Sequence, residues 1–146
     1  MGLDYGSKTV GVALTDPFRT IASPVETVCR EREGKLRETL RYLTEMIREK
    51  EVELVVVGDP VNMDGSIGER AEKSRDFAEK LRYRLACEGM EVPVVMHDER
   101  LTTVGADEIL SEASVDRKDR KAVIDKIAAS LILEDYLREK GTDYNG

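Results

Sequence analysis

Apolar residues recur at every second position near the start of the chain and at helical spacing further on, and this change of period predicts the elements in order. Leu3 and Tyr5, then Val10, Val12 and Leu14, keep a period of two around the turn-forming Gly6-Ser7-Lys8, the pattern of a β-hairpin. Pro17 and Pro24 bracket a connection, and Ser23 to Val28 offers a third short strand. Between Gly34 and Lys50, Leu36, Leu40, Leu43 and Ile47 fall at helical spacing, so this stretch reads as an amphipathic helix with its apolar stripe turned to a sheet. Val52 to Gly58 is a β-branched run bounded by Gly58 and Pro60, as expected of a parallel strand covered on both faces.

The loop from Asp59 to Gly65 carries Pro, Asn, Asp and Gly, and Ser66-Ile67-Gly68-Glu69 matches a capping box opening the next helix. That helix holds Phe77, Ala78, Leu81 and Leu85 on one face and stops near Gly89. Val92 to His97 reads as another short strand, followed by Asp98-Glu99-Arg100 and a helix start at Thr102-Thr103. Ala106, Ile109 and Leu110 make a short helix, and Ser114 to Asp119 a polar loop. Arg120 to Lys140 is the longest predicted helix, with Ile124, Ile127, Ala128, Leu131 and Leu137 as its buried stripe and Gly141 as its stop. The order βββαβαβαα belongs to the α/β class. It gives one five-stranded mixed sheet, three strands antiparallel and then two parallel, flanked by helices, which is the ribonuclease H-like plan. Residues 1–141 are expected to form one domain and 142–146 a frayed tail.

Composition narrows the function classes. At 146 residues the chain has room for one domain and no second catalytic one. It lacks an apolar run near the ~20 residues that span a bilayer, and Met1-Gly2 leads straight into a strand, so no membrane partner is expected and the cytoplasm is the expected location. Cys29 and Cys87 have no metal-ligand spacing and suit a reduced compartment. The excess of 30 acids over 23 bases argues against a general polyanion binder but leaves room for a local basic strip. Many charges form i,i+4 pairs such as Glu33/Arg37, Asp76/Lys80 and Glu134/Arg138, which need mean no more than a solvated face.

Three acids occupy unusual places. Asp4 alternates against Leu3 and Tyr5 and so points to the opposite face of its strand, where a carboxylate is costly unless it meets water, a partner or a metal. Glu99 follows the last strand. Asp125 lies in the first turns of the last helix, on the line 125, 129, 132, 136 that faces the sheet edge, and the alanines one turn on let the helix approach closely. Two carboxylates ~5 Å apart repel by roughly 3 kcal/mol at an effective dielectric of 20, so convergence of the three would call for a cation. Oxygen ligands without a Cys or His cluster indicate Mg²⁺ or Mn²⁺, which can activate water and stabilise a leaving oxygen at phosphorus. The plainer alternative leaves each acid as a turn former or helix-dipole partner.

Four blocks then carry a resemblance: Leu3-Asp4-Tyr5-Gly6-Ser7-Lys8; Gly58-Asp59-Pro60-Val61-Asn62-Met63-Asp64-Gly65-Ser66; Asp98-Glu99-Arg100-Leu101-Thr102-Thr103; and Asp125-Lys126-Ile127-Ala128-Ala129-Ser130-Leu131-Ile132-Leu133. In this order they resemble the signature blocks of the pre-16S rRNA nuclease family, long labelled Holliday junction resolvases. The resemblance implies a ribonuclease H-like fold, a divalent metal, and Asp4, Glu99 and Asp125 as the catalytic, metal-holding triad. One departure is Asp59, where the family usually has Leu before the proline. It is either an auxiliary metal ligand or a turn-directing residue.

For substrate contacts the candidates are Lys8, Arg70 (with Lys73 nearby), Arg100, and the run Arg117, Lys118, Asp119, Arg120, Lys121, whose four bases and one acid give a local +3. Such phosphate contacts give affinity without sequence choice. His97, the only histidine, reads as a strand-end residue rather than a general base. The expected activity is metal-dependent hydrolysis of phosphodiester bonds in structured nucleic acid, RNA favoured over DNA, in processing the 5' end of precursor 16S rRNA. The alternatives are resolution of four-way DNA, which needs a two-fold dimer, and a non-catalytic nucleic-acid-binding module. The chain is expected to be a monomer or weak homodimer. A phosphotransferase reading of Asp4 to Lys8 is disfavoured because actin-like kinases need two such domains.

Overall fold

Five strands form one mixed sheet in the order β3-β2-β1-β4-β5. In chain order the elements are β1 (Gly2–Tyr5), β2 (Thr9–Thr15), β3 (Ala22–Cys29), α1 (Leu36–Glu49), β4 (Val55–Asp59), α2 (Glu69–Cys87), β5 (Val94–Asp98) and a last helix, α3 (Arg117–Tyr144). The computed structural model describes residues 1–32, 35–62, 64–98 and 117–144, and within α3 the side chains of 123–139. β1 pairs antiparallel with β2, and β2 with β3; β1 pairs parallel with β4, and β4 with β5. This is the sheet that the alternation and the two helical crossovers predict.

The two faces of the sheet are packed differently. Leu3, Tyr5, Val10, Val12, Val55, Val57 and Val94 turn to one side and form a continuous core with Leu43 and Ile47 of α1 and Phe77, Leu81 and Leu85 of α2. Each large side chain fully buried there contributes about 1.5–3 kcal/mol of transfer free energy. The other face carries Ala13 and Val56, covered by Ala129, Ile132 and Leu133 of α3. Small strand residues let α3 lie close: a Cβ on Gly2 would sit 2.7 Å from the Ala129 carbonyl oxygen and 2.8 Å from Leu133 Cβ.

Several boundaries differ from the sequence reading, each for a physical reason. β4 begins at Val55, not Val52, because the Val52 amide still donates to the Ile47 carbonyl (3.0 Å) and Glu51 takes a left-handed φ of 53° to leave α1. The capping box does not form. Gly68 is the N-cap of α2, without a side-chain cap. The Ser66 hydroxyl instead donates to Asp64 Oδ1 (2.6 Å) and accepts from Asn62 Nδ2 (2.9 Å), so the loop's own polar turn takes up the serine. α3 starts at Arg117, inside the stretch read as a loop, and continues past Gly141 to Tyr144. Its fully buried line is Ala128, Ala129, Ile132 and Leu133, rotated from the expected stripe, since Ile124, Ile127, Leu131 and Leu137 are only half-buried. The short helix read around Ala106 to Leu110 lies outside the described residues.

Candidate active site

Asp4 sits in the middle of β1, 7 % exposed, and is paired in register with Gly11 of β2. Side chains directly opposite in an antiparallel ladder point to the same face. A Cβ on Gly11 would run into the carbonyl of Asp125, so this face is the α3 face and Asp125 is the residue that rests over Gly11. Asp4 therefore projects from the sheet beside the turn of α3 that carries Asp125. Two residues back along β2, on the same face, the Thr9 hydroxyl donates to Asp125 Oδ2 at 2.5 Å. Gly11 thus brings the backbone of Asp125 beside Asp4, 121 positions away in sequence, and Thr9 holds the Asp125 carboxylate.

The basic candidates cluster at the same end of the sheet. α3 passes from Gly11, at Asp125, to Gly2, at Ala129 and Leu133, and so runs against the direction of β1. Its backbone before Asp125 therefore extends beyond the C-terminal end of β1, where Lys8 is exposed in the β1–β2 turn. Arg117, Lys118, Arg120 and Lys121 lie on that extension, about 6–12 Å along the axis from Asp125; Arg117 and Lys118 are helical, not in the loop expected. Arg70 is exposed in the first turn of α2, and Lys73 pairs with Glu69 at 3.0 Å. The turn bearing Lys8 is fixed by Arg30, whose Nη2 donates to the Gly6 carbonyl (2.6 Å), whose amide donates to the Lys8 carbonyl (2.8 Å), and whose guanidinium lies 4.8 Å over the Tyr5 ring. Glu99 and Arg100 lie outside the described residues.

Asp59 does not join Asp4. It shares the parity of Val55 and Val57 and so faces α2, where Arg75 takes both its oxygens, Nε to Oδ1 at 3.2 Å and Nη2 to Oδ2 at 2.7 Å. The carboxylate in turn raises the pKa of the Arg75 guanidinium above its ordinary value through that hydrogen bond and its charge. Asp59 thereby clamps β4 to α2 from the face opposite Asp4.

His97 also has a partner set that pattern did not reveal. Buried at the end of β5, it places Nε2 2.7 Å from Asp135 Oδ2 and Nδ1 3.7 Å from Glu139 Oε2, both on α3, and meets the Tyr136 ring edge-on. Ligand atoms of the three lie within 4.8 Å of one another, a composition that could hold a divalent ion. The two carboxylates, however, address different ring nitrogens, which is the geometry of a bracketed imidazole more than of convergent ligands. Of the residues sequence reasoning missed, Thr9 and Gly11 left a signal: Gly2, Gly11 and Ala13 mark one hairpin face as small, which announces a close neighbour. Arg30, Arg75, Asp135 and Glu139 left none that separates them from ordinary surface charges.

A mixed five-stranded sheet in this order, with the last helix packed on one face of its central strands, is a ribonuclease H-like fold. The same fold is seen in Thermus thermophilus RuvC, solved in complex with a Holliday junction substrate, with a TM-score of 0.55 at 16% identity over 97% of this chain and 94% of that one. The chain belongs to the RuvX family, described as Holliday junction resolvase, whose model matches residues 1–139. Among curated relatives, a Lachnospira eligens protein is 48% identical over 96% of both chains. A Listeria monocytogenes protein is 50% identical over 94% of this chain and 95% of its own. Both carry the name pre-16S rRNA nuclease.

Proposed function

We propose that the chain hydrolyses phosphodiester bonds in precursor 16S rRNA, using a divalent cation held by Asp4, Asp125 and Glu99. The observation that carries this reading is the juxtaposition of Asp4 and Asp125 across Gly11. Two carboxylates facing one space on a packed sheet repel, and a hard cation with oxygen ligands relieves that repulsion. The donor set fits Mg²⁺ or Mn²⁺: among the described residues, carboxylates and a hydroxyl meet there, with no thiol or imidazole. Glu99 is assigned the third place because it follows Asp98, the last residue of β5, directly in the chain.

When bound, such an ion would neutralise charge developing at phosphorus and ease deprotonation of the attacking water. The chain's own residues do the rest. Asp4 is fixed by the sheet, and Asp125 by its seat on Gly11 and its bond from Thr9, so the two carboxylates need little reorganisation when substrate arrives. Lys8, Arg70 and the Arg117 to Lys121 run would supply positive charge beside these acids. With Arg100 they would contact phosphates on either side of the scissile bond, orienting the strand without reading bases. RNA as substrate rests on the relatives' shared name, and a cytoplasmic location follows from that substrate. Among the described residues no helix is long and apolar enough to cross a membrane.

The test is cleavage of precursor 16S rRNA, beside a four-way DNA junction, with and without Mg²⁺. Cleavage of the RNA that needs Mg²⁺ and disappears in Asp4→Asn, with the fold intact by circular dichroism, is the expected result. Activity retained in Asp4→Asn removes the mechanism, and preferential cleavage of the junction replaces the substrate.

A further inference from the structure

We infer that Thr9 is a positioning residue for this reaction: its hydroxyl sets the pose in which the Asp125 carboxylate meets the ion shared with Asp4. The inference rests on the nuclease reading above and deepens it. Two contacts define where Asp125 lies. Its backbone packs on Gly11, which fixes the Cα, and its Oδ2 accepts from Thr9 Oγ1 at 2.5 Å, which fixes the rotation of the carboxylate. That rotation is the soft one, because the terminal torsion of an aspartate is broad and roughly two-fold.

Thr9 is built for the task. It is buried, and it is β-branched, so its own χ1 is restricted by the strand. Its single proton is directed to a carboxylate oxygen, a charge-assisted bond shorter than a neutral one. One hydroxyl proton occupies only one of about four acceptor sites on a carboxylate. Without the hydroxyl, the Asp125 carboxylate loses the bond that sets its rotation. The sequence spacing makes the arrangement local: Thr9 and Gly11 are alternate residues of one strand face, one supplying the donor and the other the room.

A purely structural staple between β2 and α3 would predict lost stability alone, so the test separates the two. Mn²⁺ affinity is measured by calorimetry on the full chain for wild type, Thr9→Val, Thr9→Ser and Asp4→Asn, with thermal melts and the Mg²⁺ concentration for half-maximal cleavage. All are repeated in a Glu139→Gln background, so that an ion near His97 is not counted. Thr9→Val is expected to weaken Mn²⁺ about tenfold or more and raise the half-maximal Mg²⁺ in step, while its melting point falls by only about 2–4 °C. Thr9→Ser restores both readouts. Thr9→Ala carries the comparison if Thr9→Val does not fold. Unchanged Mn²⁺ affinity in Thr9→Val, or failure of Thr9→Ser to restore it, overturns the role of Thr9 while leaving the nuclease reading intact. Undiminished Mn²⁺ affinity in Asp4→Asn instead overturns the nuclease reading, and the inference falls with it.

Discussion

Gly11 sets how near the last helix comes to the central strands. Replacing it by alanine puts a methyl group into the Asp125 carbonyl, so α3 must shift or the strand must bend. Overpacking of this kind costs about 1–3 kcal/mol. Gly11→Ala is expected to lower the denaturation midpoint accordingly and to abolish Mg²⁺-dependent cleavage, since Asp125 loses its place beside Asp4. A variant that unfolds like wild type and still cleaves would show that the close approach is dispensable. Asp59 makes the converse case. Its side chain is 12 % exposed and its partner's 41 %, so Arg75→Met is expected to cost about 1–3 kcal/mol by leaving a mostly buried carboxylate alone. Pairing it with Asp59→Asn should recover part of that loss in a double-mutant cycle. Asp59→Asn by itself leaves Mn²⁺ affinity unchanged; weakened binding would return Asp59 to the metal site. The orientation of Asp59 was legible in principle, because it shares the parity of Val55 and Val57. Asp4 was legible for the same kind of reason, as a charge on the off-beat of Leu3 and Tyr5.

At the level of elements, strands and amphipathic helices follow from period alone, and their order gave the sheet topology. What period does not carry is the distance between elements. The rotation of α3 toward Ala128, Ala129, Ile132 and Leu133 depends on Gly2, Gly11 and Ala13 lying beneath it, a fact about pairs of elements far apart in sequence. The failed capping box has the same origin, since Ser66 is claimed by Asp64 and Asn62 across the loop. The β2–β3 connection offers a test at this scale. Asp16 accepts from the Ile21 amide (2.9 Å), the Thr20 hydroxyl (2.6 Å) and the Thr20 amide (2.7 Å). These donors, the Ile21 amide foremost, hold its pKa below the ordinary carboxylate value. A depressed folded pKa means that the turn gains from Asp16 above the ordinary carboxylate range and loses that gain as pH falls through the lowered value. Carbon-detected NMR should find Asp16 titrating below a model aspartate, with exchange at the Thr20 and Ile21 amides quickening as it protonates. Titration at the ordinary value would mean that the turn is not held this way.

Across the whole molecule, a net-acidic chain has Lys8, Arg70 and the basic run at the start of α3 at the end of the sheet where Asp4 and Asp125 lie. Binding to RNA should therefore fall steeply with salt, and replacing Lys118 and Lys121 together by Gln should lower the slope of log affinity against log salt by about 1.4 for single-stranded contacts. An unchanged slope would place the substrate elsewhere. The central claim, that Asp4 and Asp125 share a divalent ion, is most directly tested by anomalous diffraction from crystals grown with Mn²⁺. The account predicts a strong peak between the two carboxylates, adjoining Thr9. A peak confined to His97, Asp135 and Glu139, with none between Asp4 and Asp125, would contradict it.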